Sequence, residues 1–173
     1  MGCRTLNLAL YGRSGSGKSF VASILENRFG YVRVSTGELC RSVSRIVFGN
    51  EDKRNLNRIS EKLREIDDHI WIEAALREID PRGPIVFDSV RYIADHVFLT
   101  GLGYKTVRIV SESGLSRRRL EERGQAFSEE DFSHRSEWEV DNCTFHATLT
   151  NDGVSAEHLV RQIELIVSHD SRI

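Results

Sequence analysis

The sequence predicts an α/β domain of three layers, with a parallel sheet of about five strands, helices on both of its faces and a small lid. Three observations carry that expectation. Short, near-continuous apolar runs recur at Leu6–Tyr11, Tyr31–Val34, Ile85–Phe87, Thr106–Val110 and Phe145–Thr150. Segments with helical apolar spacing separate them, and a glycine-rich turn follows the first run. Strands covered on both faces read as continuous rather than alternating, and parallel neighbours need helical crossovers.

Taken in order, Leu6–Tyr11 is a buried strand feeding a loop, and Ser19–Arg28 is the helix after it. Tyr31–Val34 is the second strand. Ser35-Thr36-Gly37-Glu38 then sets an N-cap residue three positions before an acidic one, so a helix begins there. Leu56, Ile59, Leu63, Ile66, Ile70 and Ala74 recur at steps of three and four, which predicts one helix over Asn55–Ile79, stopped by Pro81. The charge-rich stretch Glu51–Arg64 is its solvated face. Ile85–Phe87 is a buried strand ending on Asp88, followed by a helix over Tyr92–Leu102. Strand Thr106–Val110, a basic helix Leu115–Arg123, a polar segment to Asn142, strand Phe145–Thr150 and helix Ser155–Ser168 complete the alternation.

At 173 residues the chain fits one domain that buries a core without disulfide or metal staples. Its 39% hydrophobic and 29% charged residues describe a soluble globular protein, neither disordered nor membrane-spanning. A net charge of -2 lacks the basic excess needed to hold a long nucleic acid, which leaves a local cluster for a small anionic ligand. Cys3, Cys40 and Cys143 have no CxxC spacing and read as reduced thiols. The six histidines show no HExxH or paired-ligand spacing. Without an apolar leader, and with Leu6 where a myristoylation motif wants Ser or Thr, the expected location is the cytoplasm.

Gly12-Arg13-Ser14-Gly15-Ser16-Gly17-Lys18-Ser19 matches GxxxxGK[ST] in full between a predicted strand and a predicted helix. Glycines let the backbone curl until successive N–H groups converge on phosphate oxygens, and the helix adds its positive end. Lys18 is expected to reach the β and γ phosphates of ATP, and the Ser19 hydroxyl to ligate Mg²⁺. Asp88, at the carboxyl end of a buried strand, would hold a water of the Mg²⁺ shell or orient an acceptor; alternatively it caps the next helix. The motif makes this a P-loop NTPase fold.

Ser35-Thr36-Gly37-Glu38-Leu39-Cys40-Arg41 resembles the STGxxxR element of adenylate kinases and related nucleoside monophosphate kinases. Asp88-Ser89-Val90-Arg91 is similar to that family's DGxPR, one residue shorter and without its proline, and to the D-x-V-R form of bacteriophage deoxynucleoside monophosphate kinases. Arg119-Leu120-Glu121-Glu122-Arg123 resembles the RLxxR that opens the lid. His134-Arg135-Ser136-Glu137 is similar to the H-x-S-E of the phage enzymes, and Asn151-Asp152-Gly153 to the turn beside the adenine base. The resemblance implies that Thr36, Gly37, Arg41 and Arg91 contact the acceptor and that Arg119 and Arg123 stabilise the transferring group. It adds Arg135 as a further lid arginine and Asp152 as an ATP contact.

These readings predict phosphoryl transfer from ATP with Mg²⁺ to a small acceptor, a nucleoside monophosphate above others, with an acceptor region over about 35–80 and a lid over about 117–142. Two alternatives stay open. Dephospho-coenzyme A kinase has a similar phosphate loop but an alcohol acceptor, and the STGxxxR element speaks against it. An ATP-hydrolysing regulatory module would have no use for Arg41 and Arg91.

Overall fold

Leu8, Ala9, Leu10 and Tyr11 are all buried, as a strand covered on both faces requires, and they form β1 (Leu8–Tyr11). The computed structural model describes residues 6–79, 83–124 and 133–168. Around β1 lie β2 (Val32–Val34), β3 (Ile85–Phe87), β4 (Lys105–Val110) and β5 (Ala147–Thr150). Every pairing is parallel, and the order across the sheet is β2-β3-β1-β4-β5. Leu8 is in register with Val86 on one side and Lys105 on the other, so β1 sits at the centre. The expected parallel five-stranded sheet is present.

Alternate residues of β1 feed two separate cores. Leu8 and Leu10 pack with Val86, Val107, Ile109 and Leu149 against α1 (Lys18–Phe29) and α8 (Ala156–Ser168). Ala9 and Tyr11 pack with Val34, Ile85 and Phe87 against α4 (Ile70–Arg77) and α5 (Ile93–Gly101). The remaining helices are α2 (Thr36–Phe48), α3 (Lys53–Arg64), α6 (Ser113–Glu122) and the short α7 (Arg135–Trp138). α2 begins as its sequence predicts, with the Ser35 hydroxyl accepting the Glu38 N–H.

The single helix predicted over Asn55–Ile79 is two, α3 and α4, with a turn at residues 65–69. Asp67 Oδ1 accepts the His69 N–H at 2.7 Å, a local bond that competes with helix, and Ile66 within the supposed stripe is 76% exposed. α3 buries no residue in the core; its apolar face and its polar neighbours line a cavity instead. Periodicity reported a sided helix correctly without saying what the side faces. Pro81 lies outside the described residues. Trp71 is buried and donates to Ser60 O at 3.3 Å, whereas Trp138 is half exposed.

Candidate active site

The carboxyl ends of β1, β2 and β3 open into one cavity of about 520 Å³. At one end lies the phosphate loop, with Ser14, Gly15, Gly17, Lys18 and Ser19 in the wall. Gly17 caps α1 with φ 97°, and a Cβ there would strike the side-chain amide of Asn151 as well as strain the backbone. Lys18 is 7% exposed and donates to Gly12 O at 2.5 Å and Arg13 O at 3.0 Å. Burial, with Arg91 adding repulsion, lowers its ammonium to about 7. An anion arriving in the loop would reverse that shift.

The opposite wall is assembled from distant segments. Ser89 Oγ stands at hydrogen-bond distance from Thr36 Oγ1, 3.1 Å, and accepts the Gly37 N–H at 3.1 Å, tying the start of α2 to the segment after β3. Arg41 reaches the cavity from α2 and pairs with Glu38. Arg91 faces it from the segment before α5 and donates to Glu137 Oε1 at 2.5 Å. Asp88, 2% exposed, takes Arg33 Nε on Oδ2 at 2.7 Å and is also paired with Arg33 Nη2. Its Oδ1 has no hydrogen-bond partner among the described residues. The alternative that Asp88 caps the next helix does not hold, since α5 begins after Tyr92.

A second cavity, of about 330 Å³, adjoins the loop between Gly17, Phe20, Arg119, Arg123, Asn151 and Val154. Arg119 Nη2 donates to Asn151 O at 3.0 Å and Oδ1 at 3.2 Å, and Asn151 Nδ2 donates to Ser16 O at 2.9 Å. This chain of bonds braces the phosphate loop from behind. Arg123 lines both cavities.

No family model matches the chain. Over 89 residues it is 29% identical to cytidylate kinase of Caldicellulosiruptor saccharolyticus, a match spanning 51% of this chain but only 39% of that relative. The TT1252 protein of Thermus thermophilus superposes with TM-score 0.62 at 21% identity, covering 96% of this chain and 98% of that one. Shikimate kinase from Acinetobacter baumannii superposes with TM-score 0.60 at 15% identity, covering 95% and 94%. The protein shares the P-loop fold of these two structures, a parallel five-stranded sheet flanked by helices.

Within that fold, the sequence-predicted site residues divide by location. Ser14, Gly15, Gly17, Lys18, Ser19, Thr36, Gly37, Arg41, Asp88, Arg91 and Arg123 line the main cavity, and Arg119 lines the second. Arg13 instead turns outward to pair with Asp141 at 2.5 Å. The Asp152 carboxylate lines neither cavity; it accepts the Glu112 N–H at 2.6 Å, and its buried neighbour Asn151 faces the loop. Arg135 also lines neither, pairing with Glu139 and standing 5.8 Å from the Tyr92 ring. Residues 125–132 of the expected lid lie outside the described residues.

Sequence reasoning passed over Arg33, Ser89, Asn151 and Glu137. Ser89, Glu137 and Asn151 lie within short elements in which Arg91, Arg135 and Asp152 carry the sequence signal. Arg33 carried no signal, because only the pairing of β2 with β3 brings it to Asp88.

Proposed function

We propose that this P-loop protein is a kinase that transfers the γ-phosphoryl group of ATP, with Mg²⁺, to a small phosphorylated acceptor, a nucleoside or deoxynucleoside monophosphate. The observation that carries the reading is one continuous cavity lined by Lys18 and Ser19 of the loop, by Arg91 beside Ser14, and by Arg41 from α2. A loop shaped for polyphosphate facing two guanidinium groups is what two-substrate phosphoryl transfer needs, and a hydrolytic switch needs only the loop. The cytidylate kinase likeness supports the same acceptor class.

In this reading the loop N–H groups and Lys18 hold the donor's phosphates, and the second cavity beside Arg119 takes its nucleoside. Arg41 and Arg91 orient the acceptor phosphate, with Thr36 and Gly37 fixed beside it through Ser89. Arg123, facing both cavities, offsets charge as it spreads over the transferring group. Ser19 and Asp88 both line this cavity and carry hard oxygen donors, and Asp88 Oδ1 has no hydrogen-bond partner among the described residues, a set that fits Mg²⁺ retaining water and phosphate ligands. Mg²⁺, when bound, neutralises phosphate charge during transfer. Arg33 holds Asp88 from the side away from the free oxygen. The unit is a single kinase domain, with its acceptor region over about 35–80 and a lid over about 117–142.

The test is ADP release from ATP and Mg²⁺ across ribo- and deoxyribonucleoside monophosphates, with dephospho-coenzyme A, shikimate and no acceptor as comparisons. A strong rate with one monophosphate is expected. Equal slow rates throughout would replace this reading with the ATP-driven switch.

A further inference from the structure

A phosphate loop exists to hold anionic oxygens, and in this protein the chain supplies one itself. Glu137 Oε2 accepts the Ser14 N–H at 2.7 Å, while Oε1 accepts the Ser14 hydroxyl at 2.7 Å and Arg91 Nη1 at 2.5 Å. The Glu137 side chain is 2% exposed. Burial opposes its ionisation, but Arg91, both Ser14 donors and the nearby Lys18 hold the carboxyl below the usual range. An ionised carboxylate therefore occupies donors that a phosphate would use.

Glu137 reaches the loop from α7, whose flanks are held separately. His134 Nε2 lies 3.1 Å from Glu61 Oε1, Glu139 Oε1 accepts the Ile93 N–H at 2.9 Å, and Asp141 pairs with Arg13 and Arg108. The deepest anchor of α7 is Glu137 itself. A polyphosphate and this carboxylate cannot share Ser14 and its cations without like-charge repulsion in a poorly solvated cleft. Of the two partners, Arg91 is the one with a second use, because it also lines the acceptor side of the cavity.

Resting on the kinase reading above, we propose that Glu137 is an internal phosphate surrogate that makes transfer conditional on an acceptor and so discriminates acceptor from water. With no acceptor, Glu137 retains Arg91 and competes with ATP for Ser14, so the loop does not settle on the nucleotide. An acceptor phosphate draws Arg91 away. Glu137 then loses its main counter-charge, and the donor's phosphates displace it from Ser14. No bond to Glu137 forms or breaks beyond these hydrogen bonds.

Glu137→Gln keeps the shape and removes the charge. If the loop is open about a tenth of the time in the native protein, binding of the β,γ-imido analogue of ATP with Mg²⁺ should tighten roughly tenfold by calorimetry. Acceptor-independent ADP release should rise by a similar factor. Unchanged or weaker binding in a variant that melts like the native protein overturns the proposal, as does unchanged ADP release. Should Glu137→Gln fail to fold, the native protein still decides. Saturating analogue should change the emission of Trp138, adjacent to Glu137 on α7, read as native minus Trp138→Phe; an identical response from both proteins overturns displacement of Glu137. The binding and emission measurements contain no acceptor. Tighter analogue binding with no monophosphate phosphorylated would therefore sink the kinase reading alone.

Discussion

The phosphate-loop end of the cavity is one stretch of chain, Gly12 to Ser19, whereas the opposite wall is gathered from α2, α3 and the segment after β3, with α7 reaching across to the loop. The first owes its shape to backbone geometry within eight consecutive residues, and Gly17 at φ 97° shows how little choice that geometry leaves. The second owes its shape to side chains that meet only after folding: Arg33 on Asp88, Ser89 on Thr36 and Gly37, Arg91 on Glu137. A local motif tolerates little substitution but is easy to find. An assembled wall permits change of substrate by exchange of single side chains, and it hides from a linear reading.

The contrast is sharpest for Lys18→Ala. Removing the buried ammonium from the donor end should lower the transfer rate about a thousandfold with every acceptor, measured as kcat, because the charge it meets is common to all. Arg91→Ala should be selective. It is expected to raise the acceptor KM and lower kcat/KM about a hundredfold while leaving ATP affinity undiminished, since truncating one partner of a buried charge contact costs about 2–5 kcal/mol. Equal losses for ATP and acceptor would erase the distinction between the two ends.

The ends should also differ in pH response. Lys18 in the free protein sits at about 7, lowered chiefly by burial, and bound phosphates would restore its charge. Below pH 7 the lysine is already protonated and binding takes up no proton. Above it, ATP affinity should fall by at most about tenfold per pH unit, with proton uptake visible by calorimetry in buffers of different ionisation enthalpy. Acceptor affinity, resting on arginines, should stay flat over that range. The smallest effect is expected from Ser89→Ala, about fivefold in acceptor KM with kcat unmoved, in keeping with loss of one net hydrogen bond of about 1 kcal/mol. A matching rise in the KM for ATP would show that Ser89 braces the whole cavity rather than its acceptor wall.

A motif names residue types, and the structure shows where each side chain lies. In His134-Arg135-Ser136-Glu137 the arginine faces solvent and Glu139 while Glu137 enters the loop. In Asn151-Asp152-Gly153 the carboxylate turns to the Glu112 N–H, and the amide of Asn151 touches the loop. Neighbouring residues on a short helix or turn point in different directions, and composition does not say which points inward.

From the sequence alone came the strands, since β1 and β3 are buried throughout and read as unbroken apolar runs with the others close to that pattern, and the phosphate loop, since its glycines and lysine act through local backbone. The sequence also predicted the start of α2, because a cap is a bond between residues three apart. Tertiary structure decided that the long amphipathic stretch breaks at residues 65–69 and that its first half faces a cavity. It decided which oxygen of Asp88 is clamped and which acid lies on Ser14. The clamp on Asp88 and the acid on Ser14 depend on contacts between residues 55 and 123 positions apart, set by strand order and helix docking, and no local spacing encodes them.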